Sequence, residues 1–151
     1  MHVTAKSDYA IRALLVLARN EPDLVKIDEI VKEGDLPRKF VEAILSDLRR
    51  ASLVRSQRGA DGGYALARPA SEISLGLIIR SVDGPLAEVR GARPDQGMYE
   101  GSAEPLAQVW IAVRASLRSV LDETTLAHVL SGKLPRHVQK MTEAPDAWMP
   151  R

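Results

Sequence analysis

The chain has 151 residues, 45% hydrophobic and 27% charged, with a net charge of +1 and a single Phe. That balance fits one folded domain with an aliphatic core, and neither a disordered chain nor a bulk polycation. Cysteine is absent, which excludes disulfides, thiolate metal sites and cysteine redox switching; no apolar run approaches a membrane span and no signal-peptide pattern opens the chain, so a cytoplasmic location without a membrane partner is expected.

Thr4 is placed to cap a first helix over about Ala5–Arg19, whose stripe is Tyr9, Ala10, Ala13, Leu14, Leu17 and Ala18. Asn20-Glu21-Pro22-Asp23 ends it. A short second helix is expected around Ile27–Glu33, with Gly34 in the left-handed position after it. Pro37 suits the first turn of a third helix. Within that helix Val41, Ile44, Leu45 and Leu48 recur at helical spacing, while Arg38, Lys39, Glu42, Arg49 and Arg50 fall on other faces. Leu53–Ser56 and Tyr64–Ala67 then read as two short strands joined through Gly59-Ala60-Asp61-Gly62-Gly63.

Helix, short helix, turn, longer helix and hairpin is the order of a winged helix-turn-helix, in which a helix enters the major groove and the hairpin tip follows the backbone or the minor groove. From Leu36 to Arg68 there are seven cations against three anions, a local net of +4 in a chain of +1. Positive charge is concentrated where phosphates would have to be met, although a solvated helix face also carries charge.

Beyond Arg68-Pro69, Ser74 can cap a helix over Leu75–Val82, stopped by Asp83-Gly84-Pro85. Residues 84–103, with Gly84, Gly91, Gly97 and Gly101, read as a long loop, and a loop of that length is expected to be functional or mobile. The longest helix follows, over about Pro105–Asp122. Leu106, Val109, Trp110, Val113, Leu117, Val120 and Leu121 recur there at steps of three and four, the spacing of a helix that packs along another helix. It would pair with a second copy of the chain or fold back on its own domain; the dimer is the favoured expectation. Thr124 or Thr125 can cap a last short helix ending near Leu130. The domain plan is therefore a winged helix-turn-helix over 1–83, a loop over 84–103, dimerisation helices over 104–131 and a loosely held tail over 132–151. The fold class is mainly α with a small β-wing.

Several stretches together resemble the IscR, NsrR and CymR family of bacterial transcriptional regulators, the Rrf-two type. They are the opening Thr4-Ala5-Lys6-Ser7-Asp8-Tyr9-Ala10, the helix Phe40-Val41-Glu42-Ala43-Ile44-Leu45-Ser46-Asp47-Leu48-Arg49 and the wing Arg58-Gly59-Ala60-Asp61-Gly62-Gly63-Tyr64. Ile78-Ile79-Arg80-Ser81-Val82-Asp83-Gly84 and Trp110 add to the likeness, which runs to about residue 131. The resemblance implies a homodimer on a roughly palindromic operator, with crossed long helices as its interface. It also implies that Glu42 helps to discriminate bases, as a carboxylate accepting from a cytosine amino group can; the alternative is an ion pair to Lys39 or Arg49 on the same helix. Iron–sulfur members carry three cysteines in the segment that here reads Arg90–Gly101. None is present, and a carboxylate such as Asp8 cannot hold a cluster alone. No cofactor is expected. The likeness is to the cysteine-free branch, in which a small molecule or a metabolic enzyme delivers the signal.

The expected function is a sequence-specific DNA-binding regulator, acting as a repressor and homodimer on double-stranded DNA. Lys6, Arg38, Lys39, Glu42, Arg49, Arg55 and Arg58 are its DNA contacts, and Gly62 and Gly63 let the wing backbone come close. The alternative is a winged-helix protein–protein interaction module that touches no DNA. An enzyme is not expected: there is no Ser-His-Asp arrangement in context, and the glycines at 59–63 lie in a hairpin rather than between strand and helix. Arg90, Arg93 and Tyr99, with Trp110 and Arg114, are candidates for an anionic effector; the plain alternative is a linker. His2, His128 and His137 form no ligand spacing, so no metal is expected.

Overall fold

The computed structural model describes residues 2–96 and 99–150, so Met1, Gly97, Met98 and Arg151 lie outside the described residues. The helices are α1 (Ala5–Arg19), α2 (Ile27–Gly34), α3 (Arg38–Arg50), α4 (Leu75–Asp83), α5 (Leu106–Leu121), α6 (Leu126–Ser131) and α7 (Arg136–Glu143). Strands β1 (Val54–Gln57) and β2 (Gly63–Leu66) pair antiparallel, with Val54 opposite Leu66 and Gln57 opposite Gly63.

Local chemistry accounts for most of the boundaries. Thr4 Oγ1 accepts from Ser7 N at 3.0 Å and opens α1. Lys26 N donates to Glu29 Oε2 at 3.0 Å at the start of α2. Gly34 is not the left-handed residue after α2 but its last helical one; Asp35 takes the left-handed turn at φ 50°. Gly34 is instead required by packing, since a Cβ there would stand 2.8 Å from Leu36 Cδ1. Pro37 caps α3 from just outside it, where its missing N–H costs no helical bond.

The core lies between α1, α3 and α4, where Leu14, Leu17, Leu45, Leu48 and Ile78 are fully buried. Each such side chain contributes about 1.5–3 kcal/mol by leaving water. Val25, outside both strands, adds a third edge to the wing: Val25 N donates to Tyr64 O at 2.8 Å, and Tyr64 N to Val25 O at 2.9 Å.

The C-terminal third departs from the expected plan. Leu126 of α6 is fully buried in the winged-helix core, and its N–H donates to Ile73 O at 2.9 Å. Within residues 104–131, α6 thus packs into the winged-helix core, whereas α5 stands out from it. No residue of α5 is buried, and Leu106, Val109 and Val113 are exposed, Val109 at 49%. The segment 132–151 is no loose tail but holds α7 and a 3₁₀ turn at Pro145–Trp148. Val138 is buried, and His137 Nε2 lies 2.7 Å from Ser119 O, which fastens α7 to α5. Few apolar residues mark α7, so periodicity alone did not reveal it.

Candidate nucleic-acid interface

Helix α3 shows two faces. Val41, Ile44, Leu45 and Leu48 face the core; Arg38, Lys39, Phe40, Glu42 and Arg49 are exposed. Arg38 forms an ion pair with Asp28 of α2. The Lys39 ammonium sits 4.8 Å from the Phe40 ring centroid, and that ring is 6.2 Å from Tyr9. Phe40 is 46% exposed, and an exposed aromatic on a reading helix offers apolar contact to a thymine methyl. It was not among the expected contacts, although an aromatic lying off the 41/44/45/48 stripe was the available signal.

Glu42 pairs with neither Lys39 nor Arg49, and its carboxylate meets no cation among the described residues. Arg49 Nη1 donates instead to Ser56 Oγ at 3.2 Å, tying the end of α3 to β1. Arg55 and Arg58 extend from the hairpin into solvent and meet no carboxylate among the described residues. The wing and the exposed face of α3 thus form one cationic surface.

Three expected contacts have other roles here. Lys6 Nζ lies 2.7 Å from Asp47 Oδ2 of α3 and donates to Val82 O of α4 at 2.8 Å, so it clamps three helices together. Its ammonium, with Arg50 second, holds the Asp47 carboxyl below the usual carboxylate range. Gly62 and Gly63 are needed by the fold of the wing itself. A Cβ on Gly62 would strike the Gln57 carbonyl, and one on Gly63 would stand 2.7 Å from Val25 O.

Of the residues expected to meet an anionic effector, Arg93 and Arg114 share one carboxylate. Arg93 donates to both oxygens of Asp95, at 3.1 and 2.8 Å, and Arg114 lies 3.6 Å from the same carboxylate. That carboxyl is held below its usual range, chiefly by Arg93. Tyr99 Oη accepts from Trp110 Nε1 at 2.9 Å. Arg90 makes no ion pair among the described residues and lies on the wall of a cavity of about 570 Å³ between the N-terminal segment, the end of α4 and α5.

A reading helix on a buried helical core, stitched to a basic two-stranded wing, defines a winged helix-turn-helix DNA-binding regulator. The comparisons agree. The family description "Rrf2: Iron-dependent Transcriptional regulator" matches residues 3–132. The chain is 46% identical over 144 residues to Rv1287 of Mycobacterium tuberculosis, by name an HTH-type transcriptional regulator, covering 95% of this chain and 89% of the other. It is similar to the solved structure of CymR of B. subtilis, titled the global cysteine regulator, with TM-score 0.73, 31% identity, and coverage of 87% of this chain and 98% of that one. The IscR of T. potens gives TM-score 0.67 at 30% identity, with 100% and 93% covered. The chain belongs to the Rrf2 family of transcriptional regulators; it binds DNA and is not an enzyme.

The iron in the family description does not fit the residues present. A cluster needs soft sulfur ligands, and this chain has no cysteine. Among the described residues no group of three or more His, Asp or Glu side chains could hold a metal ion. No helix among them is long and apolar enough to cross a membrane.

Proposed function

We propose that the protein is a cytoplasmic repressor that acts as a homodimer on a roughly palindromic operator, under the control of a small molecule or a partner enzyme. The observation that carries this is α5. Sixteen residues of mostly apolar helix stand outside the core with none buried, and Leu106, Val109 and Val113 lie on the exposed side. A second copy laid along α5 removes that surface from water, about 25 cal/mol for each Å² covered. Trp110, Leu117, Val120 and Leu121, half-buried against the domain, would complete the seam. A two-fold axis through α5 then presents two α3 helices to successive major grooves, half-sites about 34 Å apart. A bound dimer covers its site, which makes occlusion of polymerase the simplest action.

Lys39, Arg49, Arg55 and Arg58 are the phosphate contacts of this reading, Arg38 a contact shared with Asp28, and Glu42 and Phe40 the base readers. Selection of duplexes from a random pool at low salt, with light scattering on the same preparation, tests it. A two-fold symmetric motif and twice the 16.5 kDa chain mass are expected. Val109→Glu should give a folded single chain that loses the symmetric motif. A protein that stays single at micromolar concentration and enriches no motif would overturn the reading and leave the protein-interaction module.

A further inference from the structure

We infer that the cavity between the N-terminal segment, the end of α4 and α5 binds a small primary amine carried on an apolar or aromatic body, and that Lys6 transmits its occupancy to the reading helix. The inference rests on the proposal that a small molecule controls this regulator, and it names the ligand chemistry and the route.

The cavity, about 570 Å³, has the size of a small-molecule site. One wall is apolar: Ile79 and Leu86, with Trp110, Val113 and Leu117 of α5, three residues that also belong to the proposed seam with a second copy, so the ligand would sit where the seam meets the domain. The Trp110 ring is steadied by its Nε1–H bond to Tyr99, which leaves its face to a cation or a flat apolar body. Beside the His2 imidazole, the charged lining consists of Asp83, Glu88 and Arg90, two carboxylates against one guanidinium. Glu88 and Arg90 make no ion pair among the described residues. The Arg93 and Arg114 charges that would favour an anion are met by Asp95 outside the cavity. An ammonium therefore suits the site, and a carboxylate on the same ligand can reach Arg90.

Asp83 is also the first link to DNA. Its Oδ2 accepts from the Thr4 hydroxyl and from Ser7 Oγ at 2.5 Å, while Oδ1 has no protein partner among the described residues. Thr4 caps α1, and Ser7 is fully buried. Lys6, between them, grips Val82 O, next to Asp83, and Asp47 on α3. An ammonium at Asp83 competes for the carboxylate that anchors the start of α1. The displacement reaches α3 through Lys6–Asp47, a contact between elements about 40 residues apart in the chain. The route is a physical contact between two elements, as coupling requires.

Thermal shift and calorimetry on the full chain, with phenethylamine, phenylalanine and 3-phenylpropionate as probes, test the site. Phenethylamine should bind and raise Tm, phenylalanine should do so where Arg90 accepts its carboxylate, and 3-phenylpropionate should not. Glu88→Gln, at an exposed residue with no protein bond, and Asp83→Asn should each weaken amine binding by about tenfold. The amine should change affinity for a selected duplex by at least about fivefold. Lys6→Met, and independently Asp47→Asn, should keep amine binding within twofold yet abolish that change. Binding of 3-phenylpropionate alone, or of no probe, overturns the ligand class; this includes the case where a second copy fills the cavity. An amine effect that survives in both clamp variants overturns the route. Failure of the unliganded protein to bind any duplex counts against the proposed function, whereas amine binding is read without DNA.

Discussion

Replacing Arg58 with Ala should change how binding depends on salt more than it changes stability. Arg58 is exposed at the wing, and no carboxylate meets it. Of the cations on α3 and the hairpin, Arg38 and Arg50 are paired with Asp28 and Asp47. Lys39, Arg49, Arg55 and Arg58 have no carboxylate partner, Arg49 bonding only to a hydroxyl. The proposed dimer would bring about eight such cations to phosphate, and the logarithm of affinity should fall with that of salt at a slope of about −7. Between 50 and 200 mM salt this is a loss of about 10⁴ in affinity. Arg58→Ala removes two cations per dimer, so its slope should be about −5 and its loss about 10³, equally on every sequence. Fluorescence anisotropy across a salt series measures both slopes. Lys6→Met is the control: its charge is already held by Asp47, so its slope should match the parent. Equal slopes for the parent and Arg58→Ala, or a drop in Lys6→Met as large as in Arg58→Ala, would refute the assignment of free and committed charge.

Glu42→Gln should leave stability within about 0.5 kcal/mol, because Glu42 is exposed and unpaired. It should shift base preference at one position in each half-site by about 1–3 kcal/mol, read by repeating the selection; an unchanged motif removes Glu42 from base readout. Gly63→Ala forces a methyl to within 2.7 Å of Val25 O and parts the two backbone bonds there. The cost should be about 2–4 kcal/mol, or roughly 5–15 °C in Tm, and an unchanged calorimetric Tm would contradict the close approach. Asp47, whose carboxyl is lowered chiefly by Lys6, stabilises the fold when ionised; that stabilisation is complete above its ordinary titration range and is lost as pH falls through the lowered folded value. Asp47→Asn should therefore flatten the acid limb of Tm against pH below about pH 4. A parallel acid limb in the variant would show that Asp47 does not carry that loss.

Much of the reading surface was legible in one dimension because it is built from short-range pattern. The stripe Val41, Ile44, Leu45, Leu48 placed Arg38, Lys39, Glu42 and Arg49 on the outer faces, since 3.6 residues per turn leaves no other arrangement. Thr4, Ser74 and Thr125 open their helices as expected, because a cap is a bond across three residues. Roles that depend on distant partners were not legible. The bond of Lys6 to Val82 O, 76 residues away, has no signature in the local sequence. The close packing at Gly63 does not show until Val25 is placed beside the wing.

The amino-acid order by itself determined the winged-helix sequence of elements, the concentration of positive charge on residues 36–68, the apolar repeat of α5 and the impossibility of a thiolate-held cluster. Each follows from local periodicity or from composition, which folding does not alter. Only the tertiary structure decided which cations lack a carboxylate partner among the described residues, that α6 returns to the winged-helix core while α5 stands outside it, and that Lys6 meets both Val82 O and Asp47. Those outcomes depend on side-chain groups meeting across long separations in the chain, and only the closed core determines which of them meet.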